Sequence, residues 1–132
     1  MILVTGGKNQ GKTAFVKRFL NLEPEEKLPS DWMDGRNDVP EKALFAPVIL
    51  HLEELVCRLM KAGVDAESFA KRLMAENKAV VIVTDEIGCG IVPMEAFQRE
   101  YREIHGRICQ NIAAESGQVY RVLCGIAMQI KG

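Results

Sequence analysis

The chain has no excess of either charge: 17 lysines and arginines stand against 18 acids, for a formal net charge of −1. No basic stripe stands out, so a general affinity for nucleic acid or for an anionic membrane surface is not indicated. Cysteine is sparse and scattered. Cys57, Cys89, Cys109 and Cys124 form no CxxC pair, which argues against a metal knuckle or a disulfide framework and for reduced, buried thiols. No segment approaches the roughly 18 apolar residues of a membrane span, and the opening Met1-Ile2-Leu3-Val4 turns polar at once, unlike a signal peptide. A cytoplasmic protein is expected. Internal repeats and low-complexity tracts are also missing.

What is there is the balance of a globular domain, 48% hydrophobic and 27% charged over 132 residues. That length suits one domain, 1–132. Ile2 to Thr5 reads as a short buried strand that stops at Gly6-Gly7. Beyond Thr13, Ala14, Phe15, Val16, Phe19 and Leu20 recur at helical spacing. From Asn21 to about Lys42 the pattern breaks down around Pro24, Pro29 and Pro40, and residues 21–46 read as an irregular connection or lid without a strand. After Pro47, the stripe Val48, Leu52, Leu55 and Leu59 predicts a helix from Val48 to Met60, stopped by Gly63. Asp65 is a candidate cap for a second helix.

The strongest strand pattern follows, Ala79 to Thr84, ending in Asp85-Glu86. A glycine-rich loop then leads to a long helix, with Pro93 suited to its first turn. Val119 to Cys124 reads as another buried strand, and Ile126, Met128 and Ile130 alternate as in a half-exposed one. Strands alternating with helices predict an α/β fold, a three-layer P-loop NTPase-like sandwich with a mainly parallel, reduced central sheet.

Gly6-Gly7-Lys8-Asn9-Gln10-Gly11-Lys12-Thr13 matches G-x-x-x-x-G-K-[ST]. Glycine at both ends lets the backbone curl so that successive N–H groups face an anion. The helix that follows adds its positive end. Lys12 is the candidate for neutralising β- and γ-phosphate charge, and the Thr13 hydroxyl for ligating Mg²⁺. A chance glycine-lysine turn would explain neither the apolar strand before it nor the amphipathic helix after it. A nucleoside triphosphate, GTP or ATP, is therefore the expected ligand. Asp85 and Glu86, at the strand end where ligands gather in α/β sheets, are the expected acids. Asp85 is assigned to the metal and Glu86 to catalysis, although which acid does which is not readable from sequence.

These residues resemble a known family. Ile2 to Gly7 with Gly11-Lys12-Thr13 looks like the opening of the adenosylcobinamide kinase/adenosylcobinamide-phosphate guanylyltransferases of cobalamin synthesis. Val83-Thr84-Asp85-Glu86-Ile87-Gly88-Cys89-Gly90-Ile91-Val92-Pro93 is similar to that family's T-N/D-E-V/I-G-x-G-I-V-P segment. Gly106-Arg107-Ile108-Cys109-Gln110 resembles its G-R-V-N-Q, and Val122-Leu123-Cys124-Gly125-Ile126 its closing strand. The resemblance implies phosphoryl transfer to a corrinoid hydroxyl, and assembly as a homo-oligomer. Against the family pattern the middle is shortened: an Asp-ending strand and a guanylyl-accepting histidine are expected there, and the proline-rich connection holds no histidine. His51, inside the Val48–Met60 helix beside its apolar stripe, and His105, in the long helix just before Gly106, are read as boundary histidines rather than nucleophiles, His51 being the better candidate acceptor. Trp32 is read as packing the connection onto the body, with stacking on a base or corrin as the alternative. Lys8 and Arg36 are read as either phosphate contacts or solvated charges. The competing functions are a non-catalytic nucleotide-binding module and a simple NTPase.

Overall fold

A computed structural model of the chain describes residues 1–87 and 95–132. The glycine-rich segment 88–93, with Cys89 and the first-turn role expected of Pro93, lies outside the described residues.

Among the described residues, six strands form one sheet. They are β1 (Ile2–Gly6), β2 (Met33–Asp34), β3 (Val48–Leu50), β4 (Val81–Asp85), β5 (Gln118–Leu123) and β6 (Ile126–Lys131), in spatial order β2-β3-β4-β1-β5-β6. The first five run parallel and only β6 is antiparallel, paired to β5. The fold is α/β with a mainly parallel mixed sheet.

Side-chain alternation along these strands builds two cores. Leu3, Met33, Ile49, Ile82 and Val119 point to one face. There they pack on α2 (Leu52–Lys61), α3 (Ala66–Glu76) and α4 (Ala96–Glu115) through Leu55, Leu73, Ile108 and Ile112. Val4, Val48, Leu50, Val81, Val83 and Val122 point to the other face and meet Val16 of α1 (Lys12–Phe19). Burial on both faces is why these strands read as continuous apolar runs. The expected punctuation holds as well. Gly63 follows α2 with φ 75°, and the Asp65 carboxylate accepts from the Ser68 amide at 3.1 Å at the start of α3.

The connection 21–46 is corrected by the structure. It contains strand β2, ending at Asp34, and a 3-10 helix at Pro40–Leu44. Trp32 is 7% exposed and belongs to the second core, so it packs the connection down as expected. The Val48–Met60 helix is corrected too. Val48–Leu50 is a strand, with Val48 in register with Val81, and the helix starts only at Leu52. A short apolar run is compatible with strand or helix by periodicity alone. Here pairing with β4 decides it.

β6 is more exposed than its alternation suggests. Ile126 and Ile130 are each over 60% exposed, and of this strand only Ala127 reaches a core. The thiols are also less covered than expected: Cys57 and Cys109 are half-buried, while Cys124 is exposed at a hairpin turn.

If the connection is part of the core, Trp32→Ala will cost about 3–5 kcal/mol, the usual range for emptying a buried aromatic site. Urea unfolding followed by far-UV circular dichroism measures this. A loss below ~0.5 kcal/mol, typical of surface substitutions, would place the connection outside the core.

Candidate functional site

The C-terminal ends of β1, β3 and β4 open on a cleft of about 470 Å³. Its walls include residues 8–14, Arg36, His51, Glu53, Thr84 and Asp85. The loop from Gly6 to Gly11 forms one side, and its glycines are required. Gly6 (φ 155°) lies so close to the Val122 carbonyl that a Cβ there would collide with it, and Gly11 has φ 94°. The loop is pinned from behind. Gln10 accepts from the Gly125 amide through its carbonyl at 2.8 Å and from the Cys124 amide through Oε1 at 2.7 Å. Cys124 and Gly125, both at positive φ, form the tight two-residue turn between β5 and β6.

Lys12 leaves the first turn of α1 and folds back into the loop. Its ammonium donates to the Gly7 carbonyl at 2.6 Å and pairs with Asp85 Oδ1 at 2.7 Å, with the side chain only 7% exposed. The structure thus brings the loop lysine and the first of the two strand-end acids together. Lys8, Asn9, Gln10, Gly11 and Thr13 line the same cleft, while Gly6 and Gly7 form the approach to it. Glu86 goes elsewhere. Its carboxylate binds Arg121 of β5 at 2.7 Å, its amide donates to the Gly6 carbonyl, and it is not part of the cleft wall.

Two further acids stand at or beside the cleft, Asp34 behind the wall residue Arg36 and Glu53 on the wall itself. Asp34 ends β2 and holds Arg36 through paired hydrogen bonds of 3.0–3.2 Å. Burial alone would raise the Asp34 carboxyl. The hydrogen bonds and charge of Arg36, helped by His51, outweigh it and hold the group below its ordinary value.

The second acid, Glu53, is in the first turn of α2 and 3% exposed. Its Oε1 accepts from the Asp85 amide at 2.9 Å, and its carbonyl accepts from the Tyr101 hydroxyl at 2.7 Å. Burial of the Tyr101 phenol itself, with nearby negative charge, raises it well above its usual value. An acid in a first helical turn is what the helix dipole favours, so Glu53 carries no mark of its own in the sequence.

The histidines also need correcting. His51 is not inside a helix; it is the junction between β3 and α2, in the left-handed region at φ 58°, and it lines the cleft. Its Nδ1 lies 3.4 Å from Glu53 Oε2. His105 is 4% exposed within α4 and makes a 2.9 Å hydrogen bond between Nε2 and the Thr84 hydroxyl, directly behind Asp85. Burial pushes its imidazole down to about 4, and the same burial pushes the neighbouring Cys109 thiol up to about 12.

Residues 40–130, well over half of the chain, match the family of cobinamide kinase / cobinamide phosphate guanyltransferases. The chain belongs to that family. The curated relatives include the bifunctional adenosylcobalamin biosynthesis proteins CobU of Escherichia coli (strain K12) and Salmonella typhimurium (strain LT2), each 46% identical over 52 residues. That stretch covers 39% of this chain and 29% of each relative's length. The family match begins at residue 40, so the case for Gly6–Thr13 is made by the loop itself.

Because His105 is held neutral, the unfolded chain takes up its proton first as pH falls. Stability is therefore complete above pH 6.5 and is lost on descending towards about 4. From pH 7 to 5 this group should account for a loss of ~2 kcal/mol. His105→Gln is expected to shrink the pH dependence of urea unfolding in that interval by a similar amount. Identical slopes in the two proteins would remove His105 as the cause.

Proposed function

We propose that this chain binds a Mg²⁺-nucleoside triphosphate, GTP or ATP, at the loop Gly6–Thr13 and transfers its terminal phosphoryl group to a hydroxyl on a corrinoid side chain. One observation carries this reading: Lys12, buried at the head of α1, bridges the loop carbonyl of Gly7 and the β4 carboxylate of Asp85 on the wall of the cleft. The neighbouring strand, glycine loop, lysine and strand-end acid support a phosphate-binding loop of the P-loop NTPase type.

In this reading the backbone N–H groups of residues 7–13 and the end of α1 cradle the phosphates. Lys12 leaves Asp85 for the anion, exchanging one charge partner for another. The Thr13 hydroxyl and the freed Asp85 carboxylate are hard oxygen donors suited to Mg²⁺, which when bound supplies further charge neutralisation. The bond from the γ-phosphorus to the bridging oxygen breaks, the acceptor oxygen takes the phosphoryl group and loses its proton, and the nucleoside diphosphate leaves. Positioning and electrostatics supply the rate. Glu86, held by Arg121, acts by fixing the end of β4 rather than by touching the substrate. The corrinoid acceptor and a place in cobalamin biosynthesis come from the family alone.

Titration calorimetry with non-hydrolysable GTP and ATP analogues, paired with transfer of γ-labelled phosphate to cobinamide, tests the proposal. Lys12→Gln is expected to lower kcat/KM by 10²-fold or more, about the cost of one transition-state charge contact. Binding without transfer would leave a nucleotide-binding module, and release of phosphate without acceptor a simple NTPase. Failure to bind either nucleotide would overturn the reading altogether.

A further inference from the structure

The cleft brings together a group of metal-type donors, of which the proposed phosphate site uses only Asp85. His51, Glu53 and Asp85 each offer one ligand atom, and those atoms all lie within 4.8 Å of one another. They come from two different crossings of the sheet, the β3–α2 junction and the end of β4. We propose that His51, Glu53 and Asp85 form a binding site for a divalent transition-metal ion, of the Mn²⁺ or Zn²⁺ type, that is distinct in its donors from a phosphate-bound Mg²⁺.

Three observations converge on it. The first is charge. Glu53 is 3% exposed, and among the described residues no lysine or arginine pairs with its carboxylate. Lys12, the buried cation beside it, is spent on Asp85. The partners the Glu53 carboxylate does have are the Asp85 amide, the Thr84 hydroxyl and the His51 ring, and a buried carboxylate with no cationic side chain in contact is costly.

The second is aim. Glu53 Oε1 is held by the Asp85 amide, which leaves Oε2 facing His51 Nδ1 at 3.4 Å. A metal with bonds of about 2.1 Å holds adjacent ligands roughly 3 Å apart, so these two donors are spaced to share one ion. Asp85 offers the third donor, its ligand atom lying within 4.8 Å of the other two, and would exchange Lys12 for the ion.

The third is the supporting structure. The Asp85 amide holds the Glu53 carboxylate and the Tyr101 hydroxyl holds the Glu53 backbone, the kind of support that orients a metal's ligands. His51 sits at φ 58° at the start of α2.

The donor set decides the class of ion. An imidazole with carboxylates suits first-row transition metals, whereas Mg²⁺ prefers oxygen and keeps its water. Asp85 is common to this site and to the proposed phosphate site. The inference concerns the same cleft but does not depend on nucleotide binding, and its test contains no nucleotide.

Mn²⁺ is titrated into the full chain without nucleotide, followed by calorimetry and by electron spin-echo spectroscopy. One Mn²⁺ per chain is expected, with nitrogen coupling from the imidazole. His51→Asn keeps a residue that accepts left-handed backbone and should weaken binding by about tenfold or more, with loss of the nitrogen signal. Glu53→Gln, which retains an acceptor for the Asp85 amide, should weaken it similarly. Far-UV circular dichroism confirms that each variant is folded; should Glu53→Gln unfold, His51→Asn alone decides. Absence of Mn²⁺ binding in the unsubstituted chain, no nitrogen coupling, or undiminished affinity in folded His51→Asn would overturn the proposal. So would displacement by equimolar Mg²⁺.

Discussion

The ion pair between Lys12 and Asp85 is the contact on which the rest of the cleft depends. It joins the first loop of the chain to the end of a strand more than seventy residues later, and both partners are largely withdrawn from water. A pair in that position stabilises only if the geometry is good and the remaining lone pairs are satisfied. The pair is short, the Gly7 carbonyl accepts a second hydrogen bond from the ammonium, and the Glu53 carboxylate holds the Asp85 backbone through its amide. The pair also stores a function. A lysine already directed into the loop by a carboxylate needs only a stronger anion to change partners, and the carboxylate it leaves becomes available to a cation.

How much of this could be read from the chain depended on how local each feature was. β1 and its loop announce themselves within twelve residues, because an apolar run, spaced glycines and Lys12 each have a short-range reason. The same holds for the Asp65 cap and the Gly63 stop, which obey rules spanning four residues. β2 and β3 were not legible. Two and three residues of strand carry no periodicity, and Met33–Asp34 exists only because Met33 and Asp34 find Ile49 and Leu50 alongside. Once those strands are placed, Asp34 ends β2 and His51 directly follows β3. Glu53 was hidden for a different reason. An acid in a first helical turn looks like surface chemistry, and only the packing of α2 against β4 buries it.

The same register argument explains why Glu86 and Asp85 part company. Consecutive residues in a strand point to opposite faces, so a carboxylate pair at a strand end cannot converge on one ligand without a break in the backbone. Asp85 takes the cleft side and reaches Lys12; Glu86 turns to Arg121 on β5. Adjacent in sequence, the two carboxylates meet different partners.

Sheet order finally accounts for the concentration of chemistry at one end of the molecule. Five parallel strands deliver all their C-termini to the same edge, and with β1 placed between β4 and β5 the first crossover must travel to the far side of the sheet. That separates the loop after β1 from β3, leaving a cleft between them lined by Lys12, Asp85 and His51. The antiparallel β6 adds to this rather than opposing it, since its hairpin with β5 turns at the same edge and holds Gln10 from behind. Behind β4, His105 ties α4 to Thr84 at 2.9 Å. The acid that faces Lys12 is therefore braced from three directions, by β1 in the sheet, by Glu53 of α2 and by α4 through Thr84. A carboxylate meant to exchange its partner without drifting from its place requires such a frame.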